Sequence, residues 1–188
     1  MDLVQLKIGG FGGQGVILSG LIIGKAAALF DRKHSAMTQS FGPEARGSAC
    51  SVQLIVSREP VLYPYLEAPH FLVTISQEAY RKFSPKLRQG GTLIIEEELV
   101  RPDSLRSDIF LYKIPATRLA EELKRKMVLN MVMVGFFTAV TSLLTLESAR
   151  RAVSESVPPG TEALNLAAME KGYAYGMAQL SEMVAQAK

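Results

Sequence analysis

Two loops carry the residues whose types and spacing could do chemistry. The first, Gly10-Phe11-Gly12-Gly13-Gln14-Gly15, follows the pattern G-x-G-x-x-G. It stands between a short apolar run, residues 3–8, and a stretch rich in Leu, Ile and Ala, residues 16–30. Strand, glycine loop, helix is a setting in which bare backbone N–H groups meet a phosphate at the positive end of a helix dipole. The same glycines would also serve a tight turn and close helix–sheet packing, with no ligand at all. Gln14 fits that second role least, because an amide at the mouth of a helix suits a polar ligand or a neighbouring chain. A dinucleotide site wants an acid at the end of the second strand, to hold the ribose hydroxyls. Asp31 has roughly that spacing but precedes the strand, beside Arg32 and Lys33, and the next acid, Glu44, lies in a loop. No Lys-Ser/Thr follows the glycines, which excludes a Walker loop.

The second loop reads Gln39-Ser40-Phe41-Gly42-Pro43-Glu44-Ala45-Arg46-Gly47-Ser48. It sets a carboxylate and a guanidinium close together between Gly and Pro. Glu44 and Arg46 could staple their own turn. Alternatively, Arg46 presents its planar fork to a phosphate or carboxylate of a ligand or another subunit. Outside the two loops no catalytic constellation emerges. His34 and His70 are isolated and Cys50 lacks a paired base, so no catalytic residue and no metal ligand is assigned.

The elements that must position these loops follow from periodicity and punctuation. Residues 35–41, 51–57, 71–75, 92–95 and 109–114 read as strands, and 77–83, 116–127 and 162–184 as helices, with a short helix from Glu147. Glu121 and Glu122 are spaced to meet Arg125 and Lys126 at i,i+4. Strands alternating with helices predict an α/β fold, a three-layer Rossmann-like sandwich with a mostly parallel sheet and helices on both faces. With no repeat or linker, residues 1–188 read as a single domain.

Bulk properties narrow the function classes. Apolar residues make up 48% of the chain and charged residues 21%, the balance of a folded globular protein. The net charge of +3 is scattered, and Lys124-Arg125-Lys126 is too short a run to indicate nucleic acid. A single cysteine excludes an internal disulfide and an iron–sulfur cluster held by this chain alone. It also fits a reducing cytoplasm. No signal peptide is visible at the N-terminus. Residues 128–146 are long enough to span a bilayer, yet Asn130, Thr138, Thr141, Ser142 and Thr145 interrupt them. A helix buried in the fold or against a partner, not a membrane segment, is the expectation.

Taken together, the two loops resemble the gamma subunit of 2-oxoacid:ferredoxin oxidoreductases. The corresponding domain occurs in pyruvate:ferredoxin oxidoreductase and in the beta subunit of indolepyruvate:ferredoxin oxidoreductase. Asn130, with Gly135 after it, also looks like that family's C-terminal region, whereas Ser48 departs from the second glycine that many members carry. The resemblance implies a subunit that is inactive alone, within a complex that oxidatively decarboxylates a 2-oxoacid with coenzyme A. The products would be acyl-CoA, carbon dioxide and reduced ferredoxin. Thiamine diphosphate, magnesium and iron–sulfur clusters would be held by partner alpha- and beta-type subunits, with no cofactor bound by this chain alone. By carry-over, Gly12, Gly13, Gln14 and Gly15 would form one wall of a shared cofactor region associated with coenzyme A access. Pro43, Glu44, Arg46 and Gly47 would form another. An indolepyruvate-type beta subunit and a stand-alone nucleotide-binding protein are the alternatives. The 2-oxoacid, and whether the chain alone is a monomer or a homodimer, stay open.

Overall fold

The computed structural model describes residues 3–42, 47–65 and 67–186. Its centre is a six-stranded sheet of β1 (Leu3–Phe11), β2 (His34–Phe41), β3 (Ala49–Ser57), β4 (Phe71–Thr74), β5 (Thr92–Glu96) and β6 (Phe110–Ile114), in the order β2-β3-β1-β4-β5-β6. β1, β4, β5 and β6 pair in parallel, whereas β3 runs antiparallel to both β1 and β2. Five strands therefore share one direction and β3 alone opposes them, so the sheet is mostly parallel, as its sequence pattern predicts. The reversal has a local cause. Residues 42–48 are too few for the crossover that a parallel neighbour needs, so β2 and β3 close as a hairpin.

The helices are α1 (Val16–Lys25), α2 (Gln77–Phe83), α3 (Ala116–Glu122), α4 (Leu129–Thr141), α5 (Leu146–Ser154) and α6 (Glu162–Gln186). A π-helical turn, Ala26–Phe30, prolongs α1. The main core lies on one face of the sheet, where Leu6, Ile8, Val52, Leu54, Val73 and Ile94 meet α1, α4, α5 and α6. The opposite face carries a smaller core, in which Tyr80 of α2 packs with Leu72, Leu87, Leu93, Ile95 and Val100. Helices thus cover both faces, unequally.

The apolar stretch 128–146 is resolved by burial. Every residue of α4 from Asn130 to Ala139 is buried, and no helix among the described residues is long and apolar enough to cross a membrane. Ser142, at φ 50, ends α4 in the left-handed conformation. The helix expected over 116–127 is shorter than predicted. It ends at Glu122 because Lys124 takes φ 58 and turns the chain into a short 3₁₀ turn, Lys126–Val128. That shift undoes the predicted i,i+4 pairs. Lys126 Nζ reaches Glu121 instead, at 2.7 Å, and Glu122 pairs with Lys171 of α6 at 2.5 Å.

Candidate binding site at the glycine loop

β1 extends through Gly10 to Phe11, so the loop proper is Gly12 to Gly15. Its neighbour is the hairpin loop between β2 and β3. Gly12 N donates to Ser48 O at 2.8 Å, and Gly47 N donates to Gly12 O at 3.3 Å. The two stretches singled out by sequence therefore lie side by side, bound backbone to backbone. Pro43, Glu44 and Arg46 fall outside the described residues.

Gln14 anchors the loop. Phe11 N donates to its Oε1 at 2.6 Å, and its Nε2 donates to Ile75 O at 3.1 Å. One side chain thereby ties the loop to the C-terminal ends of β1 and β4. An amide can make four hydrogen bonds, and two of these go to the backbone.

Gly15 caps α1 at φ 74, and no side chain caps that helix. Ser19 N makes the first intrahelical bond, to Gly15 O at 2.9 Å. The N–H groups of the turn before it lack intrahelical acceptors and form the positive end of the helix dipole. A Cβ on Gly15 would stand 2.3 Å from Asn130 Nδ2, which shows how closely the loop lies on α4. Asn130 is the second residue of α4, and that helix also lacks a side-chain cap and any acid in its first turn. Two uncapped helix N-termini therefore meet at the contact between Gly15 and Asn130. The Asn130 side chain is 4% exposed, so its carboxamide is held against the loop. A donor-rich, positively polarised floor of this kind suits an anion or another strong acceptor.

Sequence reasoning did not assign Asn130 to the site. The available signal was a polar residue near the start of an apolar run, but its approach to a glycine 115 positions earlier is a tertiary fact. Asp31, weighed as a ribose ligand, serves a different purpose. Its carboxylate accepts from Thr145 N at 3.1 Å, Thr145 Oγ1 at 2.9 Å and Ser148 Oγ at 2.5 Å, and so staples the start of α5.

No acid–base or nucleophilic centre faces this mouth among the described residues. Burial pushes the Cys50 thiol up, away from the reactive thiolate. Burial and the adjacent Arg88 guanidinium push His70 down, and its Nδ1 accepts from Gln5 N at 3.0 Å.

Comparison with known proteins shows the family. The family profile described as pyruvate ferredoxin/flavodoxin oxidoreductase matches residues 5–175. The 2-oxoglutarate synthase subunit KorC of Methanocaldococcus jannaschii is 46% identical over 171 residues, covering 90% of this chain and 91% of that protein. The gamma subunit of a keto/oxoacid ferredoxin oxidoreductase from Geobacter sulfurreducens superposes with a TM-score of 0.81 at 31% identity, over 93% of this chain and 99% of that one. A 2-oxoglutarate:ferredoxin oxidoreductase from Magnetococcus marinus, solved with 2-oxoglutarate, coenzyme A and succinyl-CoA, shares the fold. Its TM-score is 0.85 at 24% identity, over 95% of this chain and 32% of that one. Matched along nearly its whole length, this chain belongs to the pyruvate ferredoxin/flavodoxin oxidoreductase family.

Proposed function

We propose that the chain is the gamma-type subunit of a 2-oxoacid:ferredoxin oxidoreductase, folded as one domain and inactive without its cytoplasmic partners. The KorC relative favours 2-oxoglutarate as the substrate. In that reaction 2-oxoglutarate and coenzyme A yield succinyl-CoA, carbon dioxide and a proton, while two electrons pass to ferredoxin. Thiamine diphosphate with magnesium, bound by partner subunits, would supply the carbanion chemistry. The residues of this chain do not fit an iron–sulfur cluster, since it has one cysteine. No group of three His, Cys, Asp or Glu among the described residues could hold a metal.

What the chain contributes on this reading is one side of the coenzyme A entry. The carrying observation is the convergence of two uncapped helix N-termini on Gly15 and the buried Asn130 amide. Backbone N–H groups of the loop and the Asn130 amide would grip a phosphate or amide oxygen of coenzyme A. Gln14 would hold the loop in place. Pro43, Glu44, Arg46 and Gly47 would form the facing wall, with Arg46 offering a fork to a phosphate or to a partner's carboxylate.

The test is co-purification of the native complex through a tag on this chain, followed by kinetics. The complex should contain thiamine-binding subunits and turn over 2-oxoglutarate in preference to pyruvate. Asn130→Ala and Arg46→Ala should each raise the coenzyme A KM several-fold, or weaken assembly. Arg46→Ala should not shift the melting temperature of the isolated chain by much. An exposed local pair contributes only about 0–1 kcal/mol, whereas a charge-assisted bond to a ligand is worth roughly 1.5–3 kcal/mol. Unchanged coenzyme A kinetics and assembly in both variants would refute the shared-site reading.

A further inference from the structure

The face of the sheet that carries α2 holds a feature unrelated to the glycine loop. Lys7 sits mid-strand in β1 between Leu6 and Ile8, and strand alternation sends its side chain away from the main core that those two enter. It is only 9% exposed. Its Nζ lies 4.5 Å from the centre of the Phe83 ring, and Lys82 Nζ lies 5.6 Å from the same ring. Lys7, Gln53, Glu67, Pro69, Phe83 and Lys86 line a cavity of about 130 Å³. The chain supplies these ammonium groups with little counter-charge. Neither Lys7, Lys82 nor Lys86 makes an ion pair among the described residues, and Glu67 at the cavity makes none either. Burial first, then the charges of Lys82 and Lys86, bring the Lys7 ammonium down to about 8. Proteins pair buried charges as a rule. A buried cation beside two others, at a cavity whose one carboxylate, Glu67, makes no ion pair among the described residues, points to a ligand from outside the chain.

We propose that the cavity at Lys7, Phe83 and Lys86 binds a small oxyanion of the phosphate, sulfate or carboxylate class, at a site separate from the glycine loop. The size agrees. At roughly 30 Å³ per water, the cavity has room for about four waters, enough for a tetrahedral oxyanion or a side-chain carboxylate. It falls well short of the several hundred Å³ or more typical of sites for larger ligands. The Phe83 ring stiffens one wall and stabilises the Lys7 ammonium through its face.

Binding an anion here must raise the affinity of Lys7 for its proton. The site therefore takes up a proton with its ligand, and affinity falls as pH rises past about 8. Sulfate is the probe of choice because its charge does not change across that range. The full-length chain is melted in sodium sulfate and, separately, in sodium chloride at matched ionic strength. At roughly pH 7 sulfate should raise the melting temperature by several degrees beyond chloride, saturably. At roughly pH 9.5 the midpoint should need about tenfold more sulfate. Lys7→Met removes a buried cation without leaving a hole, so it should fold and lose the sulfate-specific rise. Lys86→Ala, at the rim, should weaken it. The assembled complex separates the two sources of oxyanion. A sulfate response that persists there marks a free solute, and one lost on assembly marks a partner carboxylate seated in the cavity. No advantage of sulfate over chloride at roughly pH 7, or equal responses from wild type and both variants, would overturn the proposal.

Discussion

A single carboxylate illustrates how position decides role. Asp31 has roughly the spacing of a dinucleotide-binding chain's ribose acid, yet its three side-chain hydrogen bonds among the described residues go to Thr145 and Ser148. Thr145 also caps α5 by accepting from Ser148 N, so Asp31 orients the cap itself. Asp31→Ala should destabilise the chain by about 1–3 kcal/mol, the range for losing a cap together with charge-assisted bonds. Urea unfolding measures it; an unchanged midpoint would mean that the staple carries no energy. The misplacement of Asp31 was legible in its neighbours Arg32 and Lys33. Its true partners, more than a hundred residues away, were not. The same distance hid Asn130 beneath Gly15, although the glycine spacing itself was plain.

At the scale of elements, the fold depends on one close approach. A Cβ on Gly135 of α4 would fall 1.8 Å from Met169 O of α6, and one on Gly172 of α6 would fall 1.9 Å from Val132 O of α4. Each helix thus lays a glycine on the backbone of the other. Neither contact can relax through a side chain, so the axes would have to part. Gly135→Ala should therefore cost more than ordinary overpacking, about 3 kcal/mol or above, read as lost soluble yield or a much lower melting temperature. A variant that melts like wild type would show that the two helices can separate freely. Because α4 also presents Asn130 to the glycine loop, the seam bears on the site as well as the core. Apolar runs and glycine punctuation made most strands and helices legible. The early end of α3 was not, because nothing in Leu123-Lys124-Arg125 marks Lys124 for the left-handed region. The reversed β3 follows from the short loop before it, once hairpin and crossover are compared.

At the scale of the whole molecule, a well-formed core carries few thiols and imidazoles among the described residues. Its one thiol is 8% exposed and held in the protonated form, His70 is bonded to the β1 backbone, and His34 lies exposed at the start of the edge strand β2. Oxidative decarboxylation needs an electron sink for the carbanion and a relay for two electrons. Neither can be built from these side chains. On the proposed function, the chain acts through what it binds and what it packs against. Purified alone and without detergent, it should be colourless and should reduce no viologen dye with any 2-oxoacid and coenzyme A. A brown, iron-containing preparation, or dye reduction by the pure chain, would contradict this. Adding the thiamine-binding and cluster-bearing subunits should produce turnover that depends on this chain. If those subunits alone turned over equally fast at every coenzyme A concentration, the glycine loop would have no part in coenzyme A entry.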